Sequence, residues 1–186
     1  MKRIKMRRPK DAYYSPKSLV HPVISEIVMD GVIFECCNGK GDISDVLREA
    51  GKTVLTNDID PDCASDLHND ATDPYFWNRV EVDWVVTNPP FSKAAEIVQL
   101  AYEHAKVGIA FFLRLSFLEP CKGRVEFLEK YPPNEVYVMP RISFTGDGSK
   151  DLVTGMWAVW RKDTTSQKLK VISRHALQQY TKAESE

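Results

Sequence analysis

The chain of 186 residues has no apolar run approaching the roughly 20 residues of a membrane span, and its N-terminus lacks the apolar core of a secretory signal. Membrane insertion and export are therefore not expected, and a cytoplasmic protein with no membrane partner is. Cysteine is scarce and poorly placed for chemistry of its own. Cys36 and Cys37 are adjacent while Cys63 and Cys121 stand alone, which is neither a zinc spacing nor a disulfide framework. Reduced thiols and no metal site are expected. There are no internal repeats. Acidic residues are absent from the first ten positions, which hold Lys2, Arg3, Lys5, Arg7, Arg8 and Lys10. The whole chain carries a formal charge of −1, so a short basic arm is attached to an acidic body. Such an arm reads either as a phosphate-contacting segment, with Arg3, Lys5, Arg7 and Arg8 as its contacts, or as a solubilising tail.

What is present is organised around Val82 to Phe91, VDWVVTNPPF. Its first half is β-branched and uncharged after Asp83, which predicts a buried strand of a parallel sheet. The strand must stop at Asn88-Pro89-Pro90-Phe91, because two consecutive prolines cannot donate to a ladder and fix their own φ. The chain then leaves in a set direction, presenting an amide, two carbonyls and an aromatic ring together. An asparagine carbonyl and a proline carbonyl can accept from one NH2 group, and Phe91 can stack on a planar heterocycle. A plain turn after a strand is the simpler reading of the same residues.

Upstream, Lys17 to Met29 carries Val20, Val23, Ile24, Ile27 and Val28 at helical spacing, and Pro22 suits a first turn if the helix begins near His21. Val32 to Glu35 is a short strand followed by Cys36-Cys37-Asn38-Gly39-Lys40-Gly41. A helix from about Asp42, with Ile43, Val46, Leu47 and Ala50 on one face, then runs to Gly51. Strand, glycine turn and helix let a ligand approach backbone N–H groups closely. A dinucleotide fingerprint fails because Ser44 occupies its third glycine position, and a phosphate loop fails because Gly41 follows Lys40. Lys52 to Asn57 is a second strand. Asp58 at its end is placed to accept from both hydroxyls of a ribose, with Asp60 as the alternative. Leu67 to Ala71 is too short and polar to assign as a strand. Further on, Lys93 to Lys106 predicts a helix with Ala94, Ile97, Val98, Ala101 and Ala105 inward. Gly108 to Leu115 is a central strand, Cys121 to Tyr131 a helix, and Glu135 to Met139 and Thr154 to Arg161 two closing strands. Trp157 and Trp160 read as packing residues.

Asn-Pro-Pro-Phe at the end of a strand resembles the catalytic motif of the S-adenosylmethionine-dependent amino-methyltransferases. The Pro-Arg-x-x-Phe of residues 140–144, with its glycine-rich continuation, looks especially like the small phage-type adenine enzymes. The Glu35, Gly39, Gly41 pattern is similar to the family's first cofactor motif, although Cys37 stands where a further glycine is common. The resemblance implies S-adenosyl-L-methionine as cofactor, held by Tyr14, Pro16, Glu35, Cys36, Asn38, Gly39, Gly41, Asp58, Ile59, Asp70, Ala71 and Asn88. Glu35 would take the cofactor's amino group and Asp70 its adenine amine. Asn88, Pro89, Pro90 and Phe91 would form the catalytic set, with Phe91 and Phe144 enclosing the target base. Arg141 and Lys150 are either phosphate contacts or solvated charges.

The implied fold is an α/β class I methyltransferase (Rossmann-like) fold, a seven-stranded, mostly parallel sheet with a C-terminal antiparallel strand pair and helices on both faces. The domain is expected over 13–161, between a basic arm at 1–12 and a polar tail at 162–186. With 25 residues after Arg161, too few for a target-recognition domain, a short or loosely specified site is expected. The implied reaction is methylation of adenine N6 in nucleic acid, DNA preferred over RNA. The alternatives are adenine N6 or guanine N2 in RNA and, from another class, a non-catalytic nucleic-acid-binding module. The oligomeric state is left open, a dimer included.

Overall fold

The computed structural model describes residues 16–141 and 154–173. In chain order the elements are α1 (Lys17–Ile24), β1 (Val32–Glu35), α2 (Asp42–Glu49), β2 (Thr53–Thr56), α3 (Pro74–Trp77) and β3 (Trp84–Thr87). Then come α4 (Ala94–His104), β4 (Gly108–Arg114), a 3-10 turn over Leu115–Leu118, α5 (Val125–Lys130), β5 (Glu135–Val138), β6 (Gly155–Arg161) and β7 (Lys168–Val171).

The strands form one sheet in the order β2-β1-β3-β4-β6-β5-β7. β2, β1, β3 and β4 run parallel, β6 is antiparallel to both its neighbours, and β7 is parallel to β5. β4 shows why its residues make a central strand. Ile109, Phe111 and Leu113 point into one apolar cluster while Ala110 and Phe112 point into the other, so both faces are buried and the sequence is apolar without alternation. α1 and α2 cover the second face through Leu19, Val20, Val23, Ile43, Val46 and Leu47. α3 and α4 cover the first through Phe76, Trp77, Ala94, Ile97, Val98 and Ala101. The inward face expected of α4, including Ala105 at its end, is buried throughout. Trp157 and Trp160 are core residues as expected, each with its indole N–H donating to a carbonyl, of Leu19 at 3.1 Å and Tyr131 at 2.8 Å.

Several boundaries differ from the sequence reading. α1 begins at Lys17 and contains Pro22, whose missing N–H costs one bond in a helix that ends two residues later. Ile27 is buried but Val28 lies past the helix and is 72% exposed. Ala50 caps α2 and is exposed. The helix read from Cys121 forms only from Val125. Among the described residues the sheet has seven strands. Leu67, in the stretch too short and polar to assign, makes only a single parallel bridge to Asn57, and the seventh strand is β7, in the polar stretch past Arg161.

β2 is closed on its outer side by side chains and loop backbone. The Asp66 carboxylate accepts from the Thr56 N–H at 2.8 Å and hydroxyl at 2.7 Å, Leu67 N–H donates to Thr56 O at 3.0 Å, and Arg48 reaches Val54 O at 3.4 Å.

Candidate active site

The chain steps from β1 outward to β2 and then returns to β3 on the opposite side of β1, so the strand order reverses between β1 and β3. A crevice opens at such a point beyond the carboxyl ends of the strands. Glu35 ends β1 and Asn88 follows the last residue of β3, which places both at this crevice.

Glu35 is wholly buried. Its Oε1 accepts the Cys37 N–H at 3.0 Å, while its Oε2 has no partner among the described residues. Burial pushes its carboxyl up to about 8, the nearby Thr87 hydroxyl and the Cys37 N–H offset part of that rise, and Asp58 adds to it. Thr87 is close enough to act on the charge, yet its Oγ1 also closes no hydrogen bond. A buried carboxyl oxygen in this state has an unmet hydrogen bond, which a donor placed in the crevice would close.

The turn after Glu35 is held by a small set of hydrogen bonds. Gly39 (φ 55) and Gly41 (φ 90) take left-handed conformations that a side chain would strain, and Gly41 starts α2. Asp58 Oδ2 accepts the Gly39 N–H at 2.7 Å and Oδ1 accepts the Asp60 N–H at 2.9 Å. Of the two candidate acids, Asp58 is therefore the one drawn against the glycine turn, with a lone pair left on each oxygen. Asn38 is inward-facing. It donates to Ala64 O at 2.8 Å and accepts from Ser44 Oγ at 2.7 Å, so its side chain braces the turn. Cys36 is buried, and Ile59 is exposed at the lip of the β2 end.

Asn57, which the sequence marks only as a strand terminus, is the hub that assembles these segments. Fully buried, it donates to Cys36 O and Asn69 O, both at 3.0 Å, and accepts the Asn69 N–H at 2.9 Å. It thereby fixes the Asp70-Ala71 segment beside the glycine turn. Asp70 is exposed, and the Thr72 N–H, followed by the Thr72 hydroxyl, holds its carboxyl below the usual range. Ala71 is buried and its carbonyl accepts from Trp77 Nε1 at 2.8 Å.

Beyond β3, Asn88 is half-buried with Oδ1 shielded from solvent, and Pro89 is buried. The Pro90 carbonyl accepts the Lys93 N–H at 2.9 Å and so leads into α4. Phe91 is half-buried, with the guanidinium carbon of Arg114, the last residue of β4, 4.6 Å from its ring centre. Pro16 caps the start of α1 and Arg141 is exposed after β5. Tyr14, Phe144, Lys150 and the basic residues Arg3, Lys5, Arg7 and Arg8 lie outside the described residues. Thr87, Asn57 and Arg114 are the site residues that sequence reasoning missed.

No protein-family model matches the chain, and no curated protein matches it either. Solved structures do. The methyltransferase subunit of a type I restriction-modification system from Streptococcus thermophilus superimposes with a TM-score of 0.64 at 14% identity, over 93% of this chain and 53% of that one. A protein from Listeria monocytogenes assigned as a class I S-adenosylmethionine-dependent methyltransferase gives 0.66 at 11% identity, over 97% and 73%. One from Pyrococcus horikoshii assigned as an RNA methyltransferase gives 0.57 at 15%, over 84% and 82%. The chain spans about half the length of the restriction-modification subunit. With the strand order and the crevice between β1 and β3, these likenesses define the class I methyltransferase fold.

Proposed function

We propose that the protein transfers a methyl group from S-adenosyl-L-methionine to the exocyclic N6 amine of adenine in DNA. The observation that carries this reading is the meeting, across the β1–β3 pair, of a buried carboxylate with an unsatisfied oxygen and the Asn88-Pro89-Pro90-Phe91 turn. Glu35 Oε2 suits the ammonium of the cofactor's methionine part, Asp58 its ribose, and Asp70 its adenine amine. When bound, the cofactor would supply an electrophilic methyl group, its sulfur–methyl bond breaking as the N6–methyl bond forms, with S-adenosylhomocysteine left behind and one amine proton lost to solvent.

The remaining work falls to this chain. An adenine N6 is a weak nucleophile because its lone pair is conjugated into the ring. Asn88 Oδ1 and the Pro89 carbonyl accept its two hydrogens and favour the pyramidal amine of the transition state, which is the interaction that raises the rate. The commitment of the Pro90 carbonyl to Lys93 favours Pro89 as the second acceptor. Phe91 holds the base so that the amine faces the methyl group, and positioning supplies most of the acceleration. A duplex base must be flipped out to enter, and an aromatic stack compensates part of that cost. The basic arm supplies phosphate contacts, and the reaction takes place in the cytoplasm.

The test is transfer of labelled methyl from S-adenosylmethionine to duplex DNA, single-stranded DNA and RNA, with Asn88→Ala as control and nucleoside analysis of the product. N6-methyladenine in DNA that disappears in the variant supports the proposal. Label in RNA alone moves the assignment to an RNA amine, a second reading favoured by the likeness to the Pyrococcus protein. No label with intact cofactor binding points to another amine substrate, and no cofactor binding to a fold used without catalysis.

A further inference from the structure

Arg114 closes a strand that is otherwise apolar and buried, and it pairs across β6 with Gly155. Its guanidinium lies over Phe91, and its Nε is buried with no hydrogen-bond partner among the described residues. Neighbouring backbone is tightly fixed. Leu115 N–H donates to Thr154 O at 2.9 Å and Met139 N–H to Gly155 O at 2.9 Å. Gly155 leaves no room for a side chain, since a Cβ there would sit 2.3 Å from the Phe112 ring. Arg114 thus stands on a rigid strand end directly beside the proposed catalytic turn.

An N–H withdrawn from water without an acceptor is destabilising, and such a group at a crevice marks where an acceptor belongs. A guanidinium held 4.6 Å over an aromatic ring is attracted by the ring face and still carries N–H donors for a second partner. The edge formed by Nε and one terminal nitrogen matches two oxygens of a phosphate, which a lysine at the same place would meet only as a point charge. On the other side of the crevice stand two acidic side chains, Asp58 and the buried Glu35, which suit a cationic cofactor once its charge draws the proton from Glu35. Arg114 gives the Phe91 side the opposite sign.

We propose that Arg114 binds the backbone phosphate of the target nucleotide, anchoring it as its base enters beside Phe91. The proposal rests on the methyltransferase reading and assigns a phosphate contact within it. Arg114→Gln is expected to weaken binding of a short DNA duplex roughly tenfold, the loss appearing in KM more than in kcat. It should also reduce the salt slope of binding by about one phosphate contact. Arg114→Lys should recover the slope but only part of the affinity. A duplex with an uncharged methylphosphonate at the target phosphate should bind wild type and Arg114→Gln alike. An unchanged salt slope, or a kcat loss at unchanged affinity, overturns the proposal and leaves Arg114 as a packing partner of Phe91. Should wild type bind DNA without methylating it, the proposed activity fails while the slope comparison still decides Arg114. If wild type binds no nucleic acid, both fail. Melting temperatures of the two variants establish that they fold.

Discussion

Two glutamates at opposite halves of one sheet show how the same side chain serves different ends. Glu135, on β5, is held from both sides. Arg161 Nε donates to its Oε1 at 2.7 Å and the Tyr137 hydroxyl donates to its Oε2. Burial works to raise its carboxyl, but the Tyr137 and Arg161 contacts outweigh it and the net shift is downward. Lys168 extends the network to Tyr137 and Glu26, and Glu26 also pairs with Lys170. Glu35, on β1, is more deeply buried yet only half satisfied, and its carboxyl rises. A completed polar network holds strands together. An incomplete one, buried at the reversal of strand order, is the feature on which the proposed cofactor site rests.

The contrast can be broken most forcefully at Asn88. Asn88→Ala should lower methyl transfer by roughly 100-fold or more, the order of effect seen on removing a group that acts on the transition state, with little change in melting temperature. If activity persists, the half of the sheet assigned to chemistry does not perform it. On the other half, Glu135→Ala should destabilise the fold by about 2 kcal/mol, because it leaves Arg161 without its carboxylate, and denaturant unfolding measures this. The same variant should leave cofactor affinity unchanged, as titration calorimetry would report.

The pH dependences should oppose one another. Folded Glu35 keeps its proton up to about pH 8 while the unfolded chain releases it near the ordinary carboxylate value. Its contribution to stability is therefore full below that ordinary value and lost as pH rises to about 8. Glu135 is shifted the other way, so its contribution is present above the ordinary value and lost as pH falls through the lowered one. Melting curves of Glu35→Gln and Glu135→Gln against wild type should each remove one of these slopes. Cofactor binding that ionises Glu35 should release a proton near pH 7, visible as a calorimetric heat that varies with the buffer. Smallest of all, Leu169→Thr on β7, where the side chain is 71% exposed, should change stability by less than about 0.5 kcal/mol.

Much of this arrangement is legible in the sequence. β4 and β3 announce themselves as apolar runs because both their faces are covered, and Glu35, Asp58 and Asn88 fall at strand ends because the apolar runs stop there. β7 was illegible for the opposite reason. Lys168-Leu169-Lys170-Val171 buries almost nothing, so no pattern distinguishes it from a polar tail. α3 is only one turn long, and its signal is the Asp73 cap with Pro74 at the first position. Asn57 and Arg114 were missed because their roles depend on partners far along the chain. Asn57 joins Cys36 to Asn69, and Arg114 meets Phe91, whereas in sequence one ends a strand and the other is a lone charge after apolar residues.

The treatment of the β2 side bears on how the molecule behaves in a crowded solution. A sheet margin with open donors and acceptors is a template on which another extended chain can nucleate, the first step toward fibrils. Here Asp66 occupies the Thr56 donor, Leu67 its carbonyl, and Arg48 the carbonyl of Val54. The replacement of an additional strand by one bridge and two charged side chains thus terminates growth of the sheet on that side. A charged, self-capped margin offers an incoming strand little to copy.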